Sequence, residues 1–110
     1  REIRRGRTYD GIIMDPPSYG RGPSGEIWKL EENLPAFLEL AARVLSDKPL
    51  FFLINSYTTG LAPSVLTYLL ETIVARRHGG HTESQELGLP VTATGLVLPC
   101  GATGRWTARP

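Results

Sequence analysis

An apolar run that ends at a carboxylate and two prolines restricts the fold of this chain more than any other feature. Residues 11–14 are Gly, Ile, Ile and Met, without polar alternation, a pattern typical of a strand buried on both faces of a parallel sheet. Asp15 then lies at the carboxyl end of the strand, where Pro16 and Pro17 stop the hydrogen-bonded ladder because proline has no N–H. Ligands of open α/β sheets bind in the crevice beyond such strand ends. The stretch therefore predicts a rigid turn that holds a carboxylate at a binding edge.

Helix and strand patterns alternate along the rest of the chain. Apolar residues at helical spacing follow as far as Leu45, with Pro35 expected in the first helical turn, and a second buried strand is predicted at Leu50–Ile54. A second helix is predicted to begin at Pro63 and to end at Gly79. The last predicted element is a hairpin at the sheet edge, with strands Glu83–Leu89 and Leu96–Pro99 and weaker strand signals around Trp106. The order strand, helix, strand, helix, hairpin predicts an α/β fold whose first two strands are parallel neighbours.

Composition excludes several classes of protein. The chain has 110 residues, of which 41% are hydrophobic and 21% charged, with a net charge of +1, as in an ordinary globular domain. One cysteine excludes an internal disulfide and a multi-cysteine zinc site, which fits a reducing compartment. No apolar run approaches the roughly 18 residues of a membrane span, and no signal peptide pattern opens the chain. We therefore expect a cytoplasmic protein without a membrane partner.

The glycine-rich segment Gly20–Gly25 matches the pattern G-x-G-x-x-G, but its context is wrong for dinucleotide binding. That fingerprint needs its first glycine directly after a strand and a helix at its third. Here residues 15–19 intervene, and Pro23 removes an amide that would face a phosphate. We interpret Tyr19–Glu26 as a mobile flap over a substrate, with Trp28 packed against its base.

The remaining polar candidates are weaker. His78 and His81 have no carboxylate or thiol at ligand spacing, so no metal site is predicted. Cys100 is interpreted as a buried or bystander thiol. Four arginines within residues 1–7 fit a solvated helix face better than a phosphate contact.

Residues 15–19, DPPSY, within the longer match of residues 9–35, YDGIIMDPPSYGRGPSGEIWKLEENLP, resemble motif IV of class I S-adenosylmethionine (SAM)-dependent methyltransferases. In that family an acidic or amide residue, two prolines and an aromatic follow the fourth strand. The sequence is most similar to bacterial ribosomal-RNA methyltransferases related to the cytosine-C5 enzymes of the large subunit. The resemblance covers nearly all 110 residues and implies a partial methyltransferase domain over 1–110, with strands four to seven of a Rossmann-like seven-stranded sheet.

The resemblance also implies a cofactor, a substrate and a set of site residues. The glycine-rich cofactor loop and the ribose-binding acid would lie upstream of Arg1, in the remainder of the catalytic domain, so the chain alone would be inactive. RNA, and ribosomal RNA in particular, is the implied substrate, while a small-molecule methyltransferase and a non-catalytic RNA- or partner-binding chain stay open as alternatives. The implied catalytic residues are Asp15, Pro16, Pro17, Ser18 and Tyr19, of which Asp15 and Pro16 would also contact SAM, and the implied substrate-binding residues are Tyr19, Arg21, Asn55 and Tyr57.

One departure from the related enzymes bears on the chemistry. Methylation of cytosine at carbon 5 needs a cysteine thiolate, which those enzymes carry in motif IV or at the end of the fifth strand. This chain has Ser18 at the first place and Asn55, Ser56 and Tyr57 at the second. The departure favours methylation of an exocyclic amine, whose hydrogens would bond to the Asp15 carboxylate and the Pro16 carbonyl.

Overall fold

The computed structural model describes residues 1–58 and 61–109. Strands β1, β4, β6 and β5 form a mixed four-stranded sheet in that spatial order, and β2 pairs with β3 in a separate two-stranded sheet. This is the predicted α/β architecture. The elements are, in chain order, α1 (Glu2–Arg5), β1 (Gly11–Met14), β2 (Tyr19–Arg21), β3 (Ile27–Lys29), α2 (Leu30–Ala42), β4 (Phe51–Ser56), α3 (Pro63–Leu70), a π-helical segment (Glu71–Ala75), α4 (Arg76–His78), β5 (His81–Val91) and β6 (Leu96–Thr107).

The first two strands of the large sheet are parallel neighbours, as the crossover rule predicts. In this pairing Gly11 lies opposite Phe51, and Met14 lies opposite Ile54. We predicted this strand at Leu50–Ile54, but β4 occupies Phe51–Ser56. It begins one residue later because the Leu50 N–H donates to the backbone carbonyl of Asp10, ahead of the residues that pair with β1. Both carboxyl ends therefore meet at one edge of the sheet.

The terminal hairpin is longer than predicted and enters the sheet instead of only flanking it. Strand β6 pairs antiparallel with β4 on one side and with β5 on the other. A side chain at Gly101 would overlap the carbonyl oxygen of Ser56, so only glycine permits this approach of β6 to the end of β4. The weak strand signals around Trp106 belong to β6, which together with β4 forms the interior of the sheet.

One face of the sheet carries the core. Phe52, Ile54 and Trp106 point toward the helices and are fully buried. A Cβ at Gly104 would lie only 2.8 Å from the Cβ of Leu66, so α3 lies almost directly against β6. The buried hydrophobic cluster consists of Met14, Leu30, Leu34, Leu38, Ala42, Leu45, Phe52, Ile54, Leu66, Leu69, Leu70, Ile73, Val74, Ala102 and Trp106.

Helix α2 begins one turn earlier than its proline suggests. Leu30, Leu34 and Leu38 are spaced by four residues and are all buried, so the apolar stripe extends the helix back to Leu30. Pro35 was expected in the first turn but lies in the second, where its missing N–H removes one intrahelical bond. Burial of Leu30 outweighs that loss.

The second helical region runs from Pro63 to His78 and ends at Gly79, as predicted. It is not one uniform α-helix, because Glu71–Ala75 adopts π geometry between α3 and α4. Gly79 has a φ of +69°, a conformation that favours glycine. None of the helices in the described parts of the chain is long and apolar enough to cross a membrane.

The prediction that β1 is buried on both faces is wrong for this chain. Ile13 is 70% exposed, whereas its neighbour Met14 is buried. Successive side chains of a strand point to opposite faces, and the described helices cover only the face that carries Met14. The other face, which includes Ile13 and Phe51, is the open face of the sheet.

The outer part of the β5–β6 hairpin extends past the end of β4. Beyond the pair formed by Ser56 and Ala102, the two strands pair only with each other, with a register shift between Leu87 and Gly88. We call residues 88–99 the hairpin tip. Its exposed apolar side chains, each 57–69% accessible, are Leu89, Leu96, Val97 and Leu98.

Candidate active site at the carboxyl edge of the sheet

The carboxyl ends of β1 and β4 bring Asp15 and Asn55 side by side. Met14 pairs with Ile54, and Asp15 and Asn55 are the next residues of their strands. Asp15 is exposed, while Pro16 behind it is buried. The carboxylate therefore faces solvent from a turn whose backbone is fixed by two prolines and by packing.

Tyr57 is the polar neighbour of Asp15. Its hydroxyl lies close enough to the Asp15 carboxylate for the two groups to interact electrostatically. Desolvation of the hydroxyl and its interaction with the negatively charged Asp15 raise the pKa of Tyr57 above its ordinary value. Tyr57 is thus a neutral donor at physiological pH, and its ring remains 46% exposed.

A side-chain hydrogen bond joins the loop after β1 to the loop after β4. The Thr58 hydroxyl donates to the Ser18 hydroxyl at 2.9 Å. Tyr19 and Tyr57 flank this bonded pair in sequence and are 54% and 46% exposed. The two loops consequently present two aromatic rings at the edge that carries Asp15.

The segment interpreted as a glycine-rich flap folds as a β-hairpin. Tyr19–Arg21 pairs antiparallel with Ile27–Lys29. The turn is closed by the Gly22 N–H, which donates to the Glu26 carbonyl at 2.8 Å, and by the Ser24 N–H, which donates to the Glu26 carboxylate at 3.1 Å. Motion of this hairpin stays a prediction.

Trp28 attaches the hairpin to the Asp-Pro-Pro turn. Its indole N–H donates to the Pro17 carbonyl at 2.6 Å, and its ring meets Phe37 edge to face at a centroid distance of 5.4 Å. The prediction that Trp28 packs at the base of this segment is confirmed. The same contact fixes the turn that carries Asp15.

Two further predicted substrate-binding residues differ in how firmly they are held. The Thr103 hydroxyl donates to the Asn55 side-chain oxygen at 2.7 Å, which orients the amide from β6. Arg21 is exposed on the hairpin, and in the described parts of the chain it has no hydrogen bond or ion pair through its side chain. The structure thus groups Asp15, Asn55 and Tyr57 around one strand edge, whereas Arg21 lies on the hairpin beyond it.

Sequence reasoning missed the contribution of the terminal hairpin to this edge. Because β6 runs beside β4, Cys100 lies next to Tyr57 and lines a cavity with it. The Cys100 thiol donates to the Leu87 carbonyl at 3.4 Å, a structural bond that agrees with the interpretation of Cys100 as a bystander. Only the order of the strands, which the sequence does not state, could have placed residue 100 here.

No metal centre is found among residues 1–58 and 61–109, where no three His, Cys, Asp or Glu side chains cluster suitably. His81 faces Glu83 at 3.6 Å, and His78 is tilted against the ring of Trp106 at 5.9 Å. Both histidines lie near the amino end of β5, at the opposite edge of the sheet from Asp15.

Solved structures of methyltransferases are similar to this chain. The SAM-dependent methyltransferase from Agrobacterium tumefaciens superimposes with a TM-score of 0.85 and 34% sequence identity, over 98% of this chain and 36% of that one. SMU.776, assigned as a methyltransferase and solved in complex with SAH, matches with a TM-score of 0.56 over 96% of this chain and 28% of its own. At 16% identity, this second likeness shows the fold alone.

No protein-family model matches the chain, and no curated protein is significantly similar to it. The chain spans about a third of the length of the Agrobacterium protein, so the similarity concerns one part of a methyltransferase. The strand order and the strand-end carboxylate described above lie within that part. The chain therefore has the α/β, Rossmann-like fold of SAM-dependent methyltransferases over the portion of that fold that it covers.

Proposed function

We propose that this chain is part of a SAM-dependent methyltransferase that acts on a base of RNA, with ribosomal RNA as the expected target, in the cytoplasm. The observation that carries the proposal is the placement of Asp15. An exposed carboxylate lies at the carboxyl end of β1, on a turn fixed by Pro16 and Pro17 and beside the Tyr57 hydroxyl. Ligands of α/β sheets bind at such an edge.

The residues present fit one side of a SAM site. A cavity of about 530 Å³, lined mainly by apolar side chains such as Met14 and Phe37, adjoins Asp15, Pro16 and Pro17. An anionic carboxylate beside apolar walls suits a ligand that combines a positive charge with a heterocycle. When bound, SAM would supply an electrophilic methyl group. Asp15 and Pro16 would hold it together with residues of the catalytic domain upstream of Arg1, and the open face of the sheet is where that remainder would pack.

Two exposed aromatic rings favour a base as the substrate. Tyr19 and Tyr57 are held near each other by the bond between Thr58 and Ser18. Enzymes that modify bases hold an unstacked base against aromatic side chains and read its hydrogen-bonding edge. Arg21, exposed on the adjoining hairpin, is available for a phosphate of the same strand.

Asp15 would orient and activate an exocyclic amine. Its carboxylate and the Pro16 carbonyl accept the two amine hydrogens, which directs the nitrogen lone pair away from the base plane and toward the methyl donor. Tyr57, by donating to the carboxylate, would fix the rotamer of Asp15. Ser18 and Tyr19 position the base. No cysteine is needed, because attack by an amine nitrogen requires no covalent enzyme intermediate.

The test compares two aspartates of the complete protein. Asp15→Asn keeps the size of the side chain but loses the charge, and its amide N–H₂ opposes an incoming amine. Loss of a charge-assisted bond that strengthens in the transition state costs about 3 kcal/mol, or about a hundredfold in single-turnover rate. The matched control is Asp10→Asn at the other end of β1, where the aspartate accepts a bond from Ser46.

We expect the complete protein to transfer radiolabelled methyl groups to unmodified ribosomal RNA. This labelling should depend on Asp15 but not on Asp10. SAM affinity should change little in either variant. Cys100→Ala should retain nearly full turnover. Labelling of small metabolites in place of RNA would indicate a small-molecule enzyme, and failure of the complete protein to bind SAM would indicate a non-catalytic chain. Normal turnover of Asp15→Asn with an inactive Cys100→Ala would move the chemistry to a cysteine mechanism.

A further inference from the structure

A second cavity opens at the same edge of the sheet, on the far side of Tyr57 from β1. It has a volume of about 410 Å³ and lies where β4 leads into α3 and where the β5–β6 hairpin leaves the sheet. This volume is within the range of sites that bind small molecules. Tyr57 lines the cavity and also lies beside Asp15, so the cavity is close to the carboxylate proposed to orient the substrate.

Among the described residues that line this cavity, only Glu86 carries a formal charge. It pairs across the sheet with Ala102, which in turn pairs with Ser56, so the three residues share the face covered by α3. In residues 1–58 and 61–109 the Glu86 carboxylate has neither an ion pair nor a hydrogen bond. The Cys100 thiol, which also lines the cavity, is bonded to the Leu87 carbonyl. The carboxylate is therefore available to a ligand.

The surroundings of Glu86 select the ligand by charge. The lining contains no lysine or arginine, and apart from Glu86 it is mainly apolar, with walls that include Leu61, Pro63 and Pro99. An ionised carboxylate accepts hydrogen bonds and cannot donate them. A phosphate or another anion would be repelled here, whereas an uncharged heterocycle with N–H groups would satisfy the carboxylate and pack on the apolar walls.

We propose that this cavity binds the donor edge of a nucleobase, with Glu86 as the acceptor. The best match is an edge with two adjacent donors, as in the N1–H and 2-amino group of guanine, because both carboxylate oxygens are then used. Tyr57 would lie between this base and Asp15. The assignment rests on the proposed function only for the role of the bound base, as the neighbour of the target base in the strand.

The experiment measures nucleoside binding to the complete protein by calorimetry in the absence of SAM. The probes are guanosine, inosine (which lacks only the 2-amino group) and guanosine 5′-monophosphate. The variants are Glu86→Gln and, as a matched control, Glu83→Gln. Glu83 lies on the same strand but on the open face of the sheet, where its carboxylate pairs with Arg105. Thermal unfolding of each variant establishes that it is folded.

We expect guanosine to bind about fivefold more tightly than inosine, and Glu86→Gln to weaken guanosine binding about tenfold. Glu83→Gln should bind like the wild type, and the monophosphate should bind no more tightly than guanosine. Absence of guanosine binding, equal binding by Glu86→Gln, or clear preference for the monophosphate would each overturn the proposal. SAM binding and methyl transfer are measured separately, so a failure here differs visibly from a failure of the proposed function.

Discussion

Replacement of Trp28 by phenylalanine should loosen the β2–β3 hairpin without loosening the sheet. The indole N–H of Trp28 donates to the Pro17 carbonyl at 2.6 Å, while its ring meets Phe37 edge to face. Trp28→Phe keeps an aromatic ring against Phe37 but removes the only donor. A hydrogen bond of this kind contributes about 1 kcal/mol, which corresponds to about a fivefold rise in the population of the open hairpin.

Trp28→Ala removes the aromatic contact as well. An edge-to-face pair adds about 0.5–1.5 kcal/mol beyond area burial, so together with the hydrogen bond the cost for the hairpin should reach about 1.5–2.5 kcal/mol. The expected series is therefore graded: wild type, then Trp28→Phe, then Trp28→Ala. A graded series separates the hydrogen bond from the packing of the ring.

Amide hydrogen exchange in the complete protein measures the population of the open hairpin directly. The reporters are the N–H of Gly22, bonded to Glu26, and the N–H of Leu30, bonded to the Ser18 carbonyl. Amides of β4 and β6 serve as the control, because their opening reports the sheet. Unchanged protection at Gly22 in Trp28→Ala, or an equal loss of protection in the sheet, would refute the assignment of Trp28 as the attachment of the hairpin.

Three further outcomes follow from the same structure. Gly101→Ala should lower the free energy of unfolding by about 1–3 kcal/mol, because the added methyl group overlaps the Ser56 carbonyl. Gly20→Ala, whose added carbon has no atom within 4 Å, should lower the melting temperature less than Gly101→Ala does. Tyr57→Phe should slow single-turnover methyl transfer by a constant factor between about pH 6 and pH 9, because the raised pKa of Tyr57 keeps its hydroxyl protonated in this range. The advantage of the wild type over the variant should be lost only above the ordinary pKa of tyrosine, about 10. Residues 1–110 alone should bind SAM weakly or not at all in calorimetry, because they span 36% of the length of the similar Agrobacterium enzyme, so micromolar affinity would contradict a site shared with the rest of the protein.

Local features of this chain were predictable from the sequence because each rests on short-range chemistry. The strand before Asp15, the stop at Pro16 and the helix end at Gly79 all follow from the preferences of single residues and their immediate neighbours. The parallel pairing of β1 and β4 follows from chain handedness alone. These elements place Asp15 at the carboxyl edge of the sheet.

Features that depend on distant partners were not predictable. The entry of β6 between β4 and β5 joins residues about half the chain apart, and it puts Cys100 and Glu86 beside Tyr57. Sequence periodicity does not predict such contacts, because it describes the spacing of residues along one element and not which elements pack together.

The exposure of one face of β1 was also not predictable from the sequence. The run Ile12, Ile13, Met14 is apolar throughout, as in a fully covered strand, yet Ile13 is 70% exposed. An apolar run alone therefore does not establish that both faces of a strand are covered within this chain.

The hairpin tip bears on how this protein stays in solution. No charged residue occurs between Glu86 and Arg105, so the tip has no electrostatic repulsion to keep another copy from pairing with its edge. Its protection lies in the backbone: Pro90 removes an N–H from the outermost strand, and the register shift at Leu87 and Gly88 twists that strand. Replacement of Pro90 would restore an N–H to this strand and so favour the addition of a strand from another copy.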